Sequence, residues 1–296
     1  MEVLISGATG LIGSELTPEL EAKGHTVRRL TRHPRREGDV RWDLDAGTID
    51  GDLSGIGAVV HLAGESIAEG RWTEEKKRRI LESRQKGTRL LAEAVAELDE
   101  PPSVMVSVSA TGYYGDRGNE LLTEESGSGD LFLSEVCREW EAAADPARQA
   151  GIRVVHPRLG IVLSTEGGAL GATLPIFKLG GGGKIGSGGQ YWSWVSFDDV
   201  VGAIIHMMET EDLSGPVNVV TSDPPTNAEY TRVLGKVLNR PTFFTVPAPA
   251  ARLMLGELTD ELLLASARVE PVRLQETGYP FRHPELEGAL RHLLGR

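Results

Sequence analysis

Seven residues near the N-terminus, Gly7-Ala8-Thr9-Gly10-Leu11-Ile12-Gly13, follow directly on the strand-like Val3-Leu4-Ile5-Ser6 and lead into a helix predicted over Ser14–Lys23. A strand, a glycine-rich turn and a helix in immediate succession confine a chain to folds that hold a nucleotide. The glycines let the backbone turn tightly and come close to phosphate, and the free N–H groups and positive dipole end of the helix face the anion. Gly7, Thr9, Gly10, Leu11, Ile12 and Gly13 are therefore the predicted pyrophosphate cradle.

Beyond the turn, short apolar runs alternate with helical stretches, the pattern of βαβ units around a parallel sheet. Strands are expected at Thr26–Leu30, Val40–Trp42, Ala58–Leu62, Val104–Ser109, Arg153–Arg158 and Val217–Val220. Helices are expected at Glu74–Leu98, Leu131–Ala150 and Val200–Met208. A Gly-rich stretch, Gly180–Gly189, and a Trp/Ser segment interrupt the pattern, and from Pro224 onward prolines break the chain into short helices. The fold class that follows is α/β, a Rossmann doubly wound parallel sheet with a smaller, mostly helical C-terminal lobe. Residues 1–164 and 196–222 are assigned to the nucleotide-binding part, residues 165–195 and 223–296 to a substrate-side lobe.

Composition narrows the partners. A formal net charge of −12 opposes unspecific binding to nucleic acid or to an anionic membrane. No apolar run is long enough to span a bilayer, and no basic leader precedes the glycine turn. The single cysteine, Cys137, permits no internal disulfide, which fits a reducing, cytoplasmic setting. No group of His, Cys and carboxylate residues has metal-ligand spacing.

The end of the second strand selects the nucleotide. An acidic residue there would accept the ribose hydroxyls of NAD and repel a 2′-phosphate. Here Thr31-Arg32 stands instead. A guanidinium can fork onto phosphate with two charge-assisted bonds, and Thr31 adds a hydroxyl, so NADP is the expected cofactor. The competing reading leaves Arg32 as a plain surface arginine. Asp43, after the third strand, is placed near the adenine amino group, and Leu62-Ala63-Gly64 lets the cofactor pass close to backbone.

With these pieces in place, the chain resembles the extended short-chain dehydrogenase/reductase superfamily, and more closely its atypical nucleoside-diphosphate-sugar-epimerase-like branch, which carries a C-terminal domain of unknown function. Besides the glycine turn, the resemblance rests on HLAGE at His61–Glu65, SATGYYG at Ser109–Gly115, PRLGIVL at Pro157–Leu163, GGGGKIGSGGQ at Gly180–Gln190, RVEPVRL at Arg268–Leu274 and GYPF at Gly278–Phe281. It implies a Rossmann domain binding NADP and adds Pro157 to the cofactor-binding residues.

Ordinary members of that superfamily work with a Ser, a Tyr and a Lys, the last two four residues apart on one helix. In register with Glu141, this chain has Leu133 and Cys137 at those positions, and neither can do the usual chemistry. Leu133, Cys137, Trp140 and Ala144 share a helical face, so Cys137 reads as packing rather than as a nucleophile. On the helix Glu74–Leu98 the apolar stripe Ile80, Thr88, Leu91, Val95 also contains Arg84. A charge in that position wants an anion. Cofactor phosphate or ribose, a substrate carboxylate, and a salt bridge to Glu65 are the alternatives.

Ser109 keeps the position where a hydroxyl can donate to a developing oxyanion. The proton donor is open among Tyr113, Tyr114, Glu65 and water. Gly180–Gly189 reads as a substrate flap or an exposed linker, with Lys184 or Arg158 meeting an anionic group. Trp192 and Trp194 alternate, which would turn one to a pocket and the other to the core. His61 reads as a packed strand residue. The resulting expectation is an atypical NADP-dependent oxidoreductase or epimerase-like enzyme acting on a small polar or sugar-like carbonyl substrate. The alternative is a non-catalytic NADP-binding redox sensor or partner-binding protein. A homodimer through the helices Glu74–Leu98 and Leu131–Ala150 is set against a monomer.

Overall fold

The computed structural model describes residues 1–296. Its first half alternates strand and helix: β1 (Glu2–Ser6), α1 (Leu11–Ala22), β2 (Thr26–Thr31), β3 (Val40–Asp43), β4 (Thr48–Asp50), β5 (Ile56–His61), α2 (Glu74–Ala96), β6 (Val104–Ser107) and β7 (Ser109–Ala110). A 3₁₀ turn at Thr111–Tyr114, β8 (Leu121–Leu122), α3 (Phe132–Ala142), α4 (Asp145–Gln149) and β9 (Arg153–Leu159) complete it. The remainder comprises β10 (Ile161–Leu163), α5 (Gly168–Lys178), β11 (Gly183–Ile185), β12 (Trp194–Ser196), α6 (Phe197–Glu209), β13 (Gly215–Val219), α7 (Asn227–Leu238) and β14 (Phe244–Val246). The chain ends with α8 (Ala248–Leu255), a π-helical turn at Thr259–Leu264, β15 (Arg268–Val269), α9 (Val272–Glu276) and α10 (Leu286–Leu294).

The main sheet runs β13-β9-β6-β5-β1-β2-β3-β4, with β7 also against β9. Every pairing in it is parallel except β3 with β4. Strand order reverses at β1, which has β2 on one side and β5 on the other. That switch point opens a crevice at the carboxyl ends of the strands. Buried apolar residues fill both faces of the sheet. One cluster joins Val3, Ile5, Val60 and Val106 to Leu16 of α1 and Ile204 of α6, and the other joins Leu4, Val59 and Met105 to Leu91 and Val95 of α2. A third core, in the C-terminal lobe, gathers Trp192, Trp194, Tyr230, Leu234 and Leu290.

Local chemistry sets several boundaries. Helix α1 starts at Leu11 rather than Ser14, directly after Gly10, which has no side chain to cap it. The expected single helix Leu131–Ala150 is two pieces, because Pro146 lacks the N–H that a continuous helix needs and the chain restarts at Asp145. The expected strand Val104–Ser109 is interrupted at Val108. β4 was not foreseen; its three residues carry too little alternation to read as a strand.

The Gly180–Gly189 stretch holds a paired strand and is not a loose flap. β11 pairs with β14, and a Cβ on Gly183 would lie 2.2 Å from the Phe244 carbonyl oxygen. Lys184 turns its Nζ onto the Ser187 carbonyl at 3.1 Å. Trp192 and Trp194 are both buried in the C-terminal core, so neither faces a pocket. The lobe is also sewn into the sheet domain. β15 pairs with β8, and the Glu261 carboxylate accepts the N–H groups of Phe132 and Leu133, capping α3 from a segment 128 residues away.

Candidate functional site

A cleft of about 480 Å³ lies over the carboxyl ends of β1, β2 and β5. Gly7, Ala8, Thr9, Leu62, Ala63 and Gly64 line one side, and Thr31, Arg32, His33 and Arg35 the other. Gly7 adopts φ +73°, a left-handed conformation that favours glycine. A Cβ on Gly13 would sit 2.3 Å from the Gly7 carbonyl oxygen, so only glycine lets α1 approach the turn this closely. The N–H groups of Leu11, Ile12 and Gly13 have no backbone acceptor in the chain, and the first turn of α1 holds no acidic residue. This end of the helix is an open anion cradle.

At the end of β2 the electrostatics are one-sided. The carboxylate Asp39 is already taken: Arg29 grips it with two bonds of 2.7 and 2.8 Å, and the N–H groups of Arg35 and Arg36 add to it. The Arg29 bond holds its carboxyl down at about 2. The guanidinium groups of Arg32 and Arg35 have no carboxylate partner in the chain. The Thr31 hydroxyl accepts the His33 N–H at 3.3 Å and keeps its own proton to donate. Asp43 faces a neighbouring cavity of about 710 Å³ rather than this cleft. One of its oxygens caps the turn at Asp45 and Ala46, and the other lies 3.7 Å from Arg41.

The region around β6 and β7, whose residues do not line this cleft, is far more self-contained. Ser109 is buried and donates to Glu141 Oε1 at 2.8 Å. The same carboxylate receives a two-bond grip from Arg158, both at 2.8 Å, and Arg158 also donates to the Tyr114 hydroxyl at 3.0 Å. Tyr114 passes its proton to Asn218 Oδ1 at 2.7 Å. Burial pushes the Tyr114 phenol up to about 12. Tyr114 is thus a buried brace and not a free proton donor, which removes it from the candidates. Arg158 is equally committed and does not meet an external anion. Tyr113 stacks on the Arg158 guanidinium at 3.4 Å, and its hydroxyl has no partner in the chain.

Glu65 lines the cleft but is ion-paired to Lys76 at 2.8 Å, which lowers its carboxyl and keeps it from serving as an acid near neutrality. Arg84 does not pair with that carboxylate. Its Nη1 donates to the carbonyls of Glu65 and Ile80 at 3.0 and 3.2 Å, while Nε and Nη2 have no acceptor in the chain. The guanidinium lies between Gly64 and the Trp140 ring. Cys137 and Leu133 are buried on α3 against Gly112, and burial raises the thiol to about 11. His61 is fully buried, is hydrogen-bonded through Nδ1 to the Ser6 hydroxyl at 2.6 Å, and is held down at about 4 by its burial.

Pro157 is not brought to the cleft. It is buried in β9 opposite Val217, beside the gap between β6 and β7, where a residue lacking an N–H breaks no ladder on that side.

Residues 3–220 match the NAD dependent epimerase/dehydratase family, and residues 246–293 match a domain of unknown function, DUF1731. The chain belongs to the NAD dependent epimerase/dehydratase family. Among its relatives, the human epimerase family protein SDR39U1 is 36% identical, with 99% of this chain and 100% of that protein covered. The Mycobacterium bovis epimerase family protein Mb2239 is 40% identical over 99% of this chain and 98% of its own length. The crystal structure of the human protein with NADPH superposes with a TM-score of 0.92 at 36% identity, covering 100% of both chains. A UDP-glucose 4-epimerase from Thermus thermophilus, solved with NAD, is only 20% identical, with a TM-score of 0.74 over 100% of this chain and 99% of that one. It shows the epimerase fold alone.

Within this family member, the sequence reading missed the buried Ser109–Glu141–Arg158–Tyr114–Asn218 chain of hydrogen bonds and the Lys76–Glu65 pair. Glu141 was noticed only as a register mark. Its partner Arg158 lies in an apolar strand run, and an ionic residue in such a run was the available signal that a buried counter-charge had to exist.

Proposed function

We propose that this chain binds NADPH in preference to NADH and uses it in hydride exchange with a small polar carbonyl or sugar-like substrate. The observation that carries the cofactor choice is the unpartnered Arg32 guanidinium beside Thr31 and Arg35 at the end of β2, where Asp39 is already neutralised by Arg29 and Glu65 is paired to Lys76. A dianionic 2′-phosphate would complete that cluster, and NADH offers nothing to it. The NADPH in the human relative supports the same reading. The glycine turn and the free N–H groups of Leu11, Ile12 and Gly13 would take the pyrophosphate, with Leu62-Ala63-Gly64 close to the cofactor's path. Arg84, through Nε and Nη2, would hold a ribose hydroxyl or a substrate anion.

When bound, the nicotinamide supplies or accepts the hydride. The chain's own share is to orient substrate and manage the proton. Ser109 is oriented by Glu141, so its oxygen presents lone pairs toward a substrate hydroxyl more readily than it donates to a carbonyl. Of the candidate proton donors, Tyr113 alone has an unengaged hydroxyl, and it is assigned that role. A fluorescence titration with NADPH and NADH, on the wild type, Arg32→Asp and Arg84→Ala, tests the cofactor half. Arg32→Asp should weaken NADPH about ten- to hundredfold and leave NADH nearly unchanged. Equal loss of both nucleotides would remove the specificity argument. Carbonyl-dependent oxidation of NADPH, lost in Tyr113→Phe with binding retained, tests the chemical half.

A second reading has its own observation: Leu133 and Cys137 occupy the positions of the usual Tyr and Lys. On that reading the chain binds NADPH without turnover, as a sensor. Tight NADPH binding with no oxidation by any carbonyl tested would favour it.

A further inference from the structure

Asp198, His283 and His292 are too widely spaced in sequence to suggest a common purpose, and the expectation of no metal-ligand grouping overlooked them. The fold brings all three together. Asp198 lies in the first turn of α6, His283 in the loop before α10 and His292 in the last turn of α10. Asp198 Oδ2 is 3.2 Å from His283 Nε2 and 3.1 Å from His292 Nε2, and one ligand atom from each residue falls within 4.8 Å of the others. We propose that these three side chains form a binding site for a divalent transition-metal ion of the Zn²⁺ class, separate from the nucleotide cleft.

Three features of the geometry support this. Ligand atoms about 2.0–2.1 Å from a tetrahedral Zn²⁺ stand roughly 3.3 Å apart, so the two Asp198 distances already match the edges of such a polyhedron. Two imidazoles and one carboxylate form a donor set suited to Zn²⁺ and its first-row neighbours, and three protein ligands leave a fourth position for water. The two imidazoles stack with ring centroids 4.3 Å apart and planes inclined by 26°. That stacking turns both Nε2 atoms toward the same Asp198 oxygen, so one ion could be reached by all three ligand atoms.

The site is also held in place from behind. Buried Asp199 accepts the N–H groups of Arg282 and His283 at 2.7 and 3.0 Å, fixing the loop that carries one ligand. The Ser196 hydroxyl caps α6 through the Asp199 N–H at 3.0 Å and so orients the turn that carries Asp198. Outer support of this kind tunes a metal site as much as its ligands do. The His292 side chain is 54% exposed, which leaves an entry path. A bound ion would tie the C-terminal helix α10 to α6.

The test is equilibrium dialysis of the full chain, freed of any affinity tag and treated with EDTA, against Zn²⁺ and against Co²⁺, with the visible d–d absorption of Co²⁺ as the second readout. One ion per chain and a d–d spectrum of reduced symmetry are expected. Binding should weaken by more than about tenfold in His292→Gln, whose side chain is exposed enough for the fold to survive the change. Asp198→Asn, which preserves shape and removes charge, should behave alike. Absence of Co²⁺ absorption in the wild type, or stoichiometric binding unchanged in both variants, would overturn the proposal and leave the three residues as a hydrogen-bonded cluster.

Discussion

The cationic rim of the cleft at the end of β2 and the buried polar cluster around β7 are built on opposite principles. At the end of β2, cationic groups stand without counter-charges and the carboxylate of Asp39 is consumed internally by Arg29. At the end of β7, nearly every polar group is spent on another: Ser109 on Glu141, Glu141 on Arg158, Arg158 on Tyr114, Tyr114 on Asn218. An electrostatic deficit is a means of recruiting a ligand, whereas a saturated network is a means of holding shape. The contrast separates what the molecule waits for from what it has already settled.

The largest effect should come from breaking the saturated end. Arg158→Ala leaves the Glu141 carboxylate without its two-bond partner in a site where the Arg158 side chain is only 3% exposed. A loss of about 3–5 kcal/mol in urea unfolding is expected, and a loss under about 1 kcal/mol would show the network to be dispensable.

His61 gives the next effect, through pH. Its folded-state value of about 4 lies below the ordinary imidazole value, so the unfolded chain binds the proton more readily. This contribution is fully present above about pH 6.5 and is lost as pH falls toward 4, up to about 3 kcal/mol in all. His61→Asn, which keeps an acceptor for the Ser6 hydroxyl, should flatten the stability profile across that window. An unchanged slope would place the acid sensitivity elsewhere.

At the open end, Gly13→Ala forces a methyl group against the Gly7 carbonyl. Calorimetric titration should show NADPH binding weakened by about tenfold or more, with a melting loss of about 1–3 kcal/mol, because α1 must back away from the turn. Full retention of affinity would mean the cradle is looser than its geometry. The smallest effect belongs to Cys137. With its thiol raised to about 11, it should resist a thiol reagent at pH 8 in the native protein and react once unfolded, and Cys137→Ala should leave NADPH affinity within about twofold. Rapid native labelling would reopen the case for a reactive thiol.

The glycine turn, the alternation of strand and helix and the cationic end of β2 were all legible because each is local. Gly7 announces a backbone conformation that other residues resist and Gly13 an approach too close for any side chain, and Thr31-Arg32 stands where a single residue type decides between two nucleotides. The saturated network was illegible because its members come from β7, α3, β9 and β13, and only the packed sheet brings Ser109, Glu141, Arg158 and Asn218 together. Tyr113 and Tyr114 make the same point in miniature: adjacent in sequence and alike in chemistry, both lie in one 3₁₀ turn that buries one hydroxyl and leaves the other free. The break in the helix after Ala142 is signalled by Pro146, while the apolar spacing of Leu133, Cys137, Trp140 and Ala144 runs across it.

The cap that Glu261 places on α3 has a consequence for how the chain is made. The helix that carries Leu133 and Cys137 gets two of its N–H acceptors from a residue synthesised 128 positions later. During translation, the start of α3 stays without this cap until most of the polypeptide has been made. An emerging chain would therefore gain its phosphate cradle early and its capped α3 late.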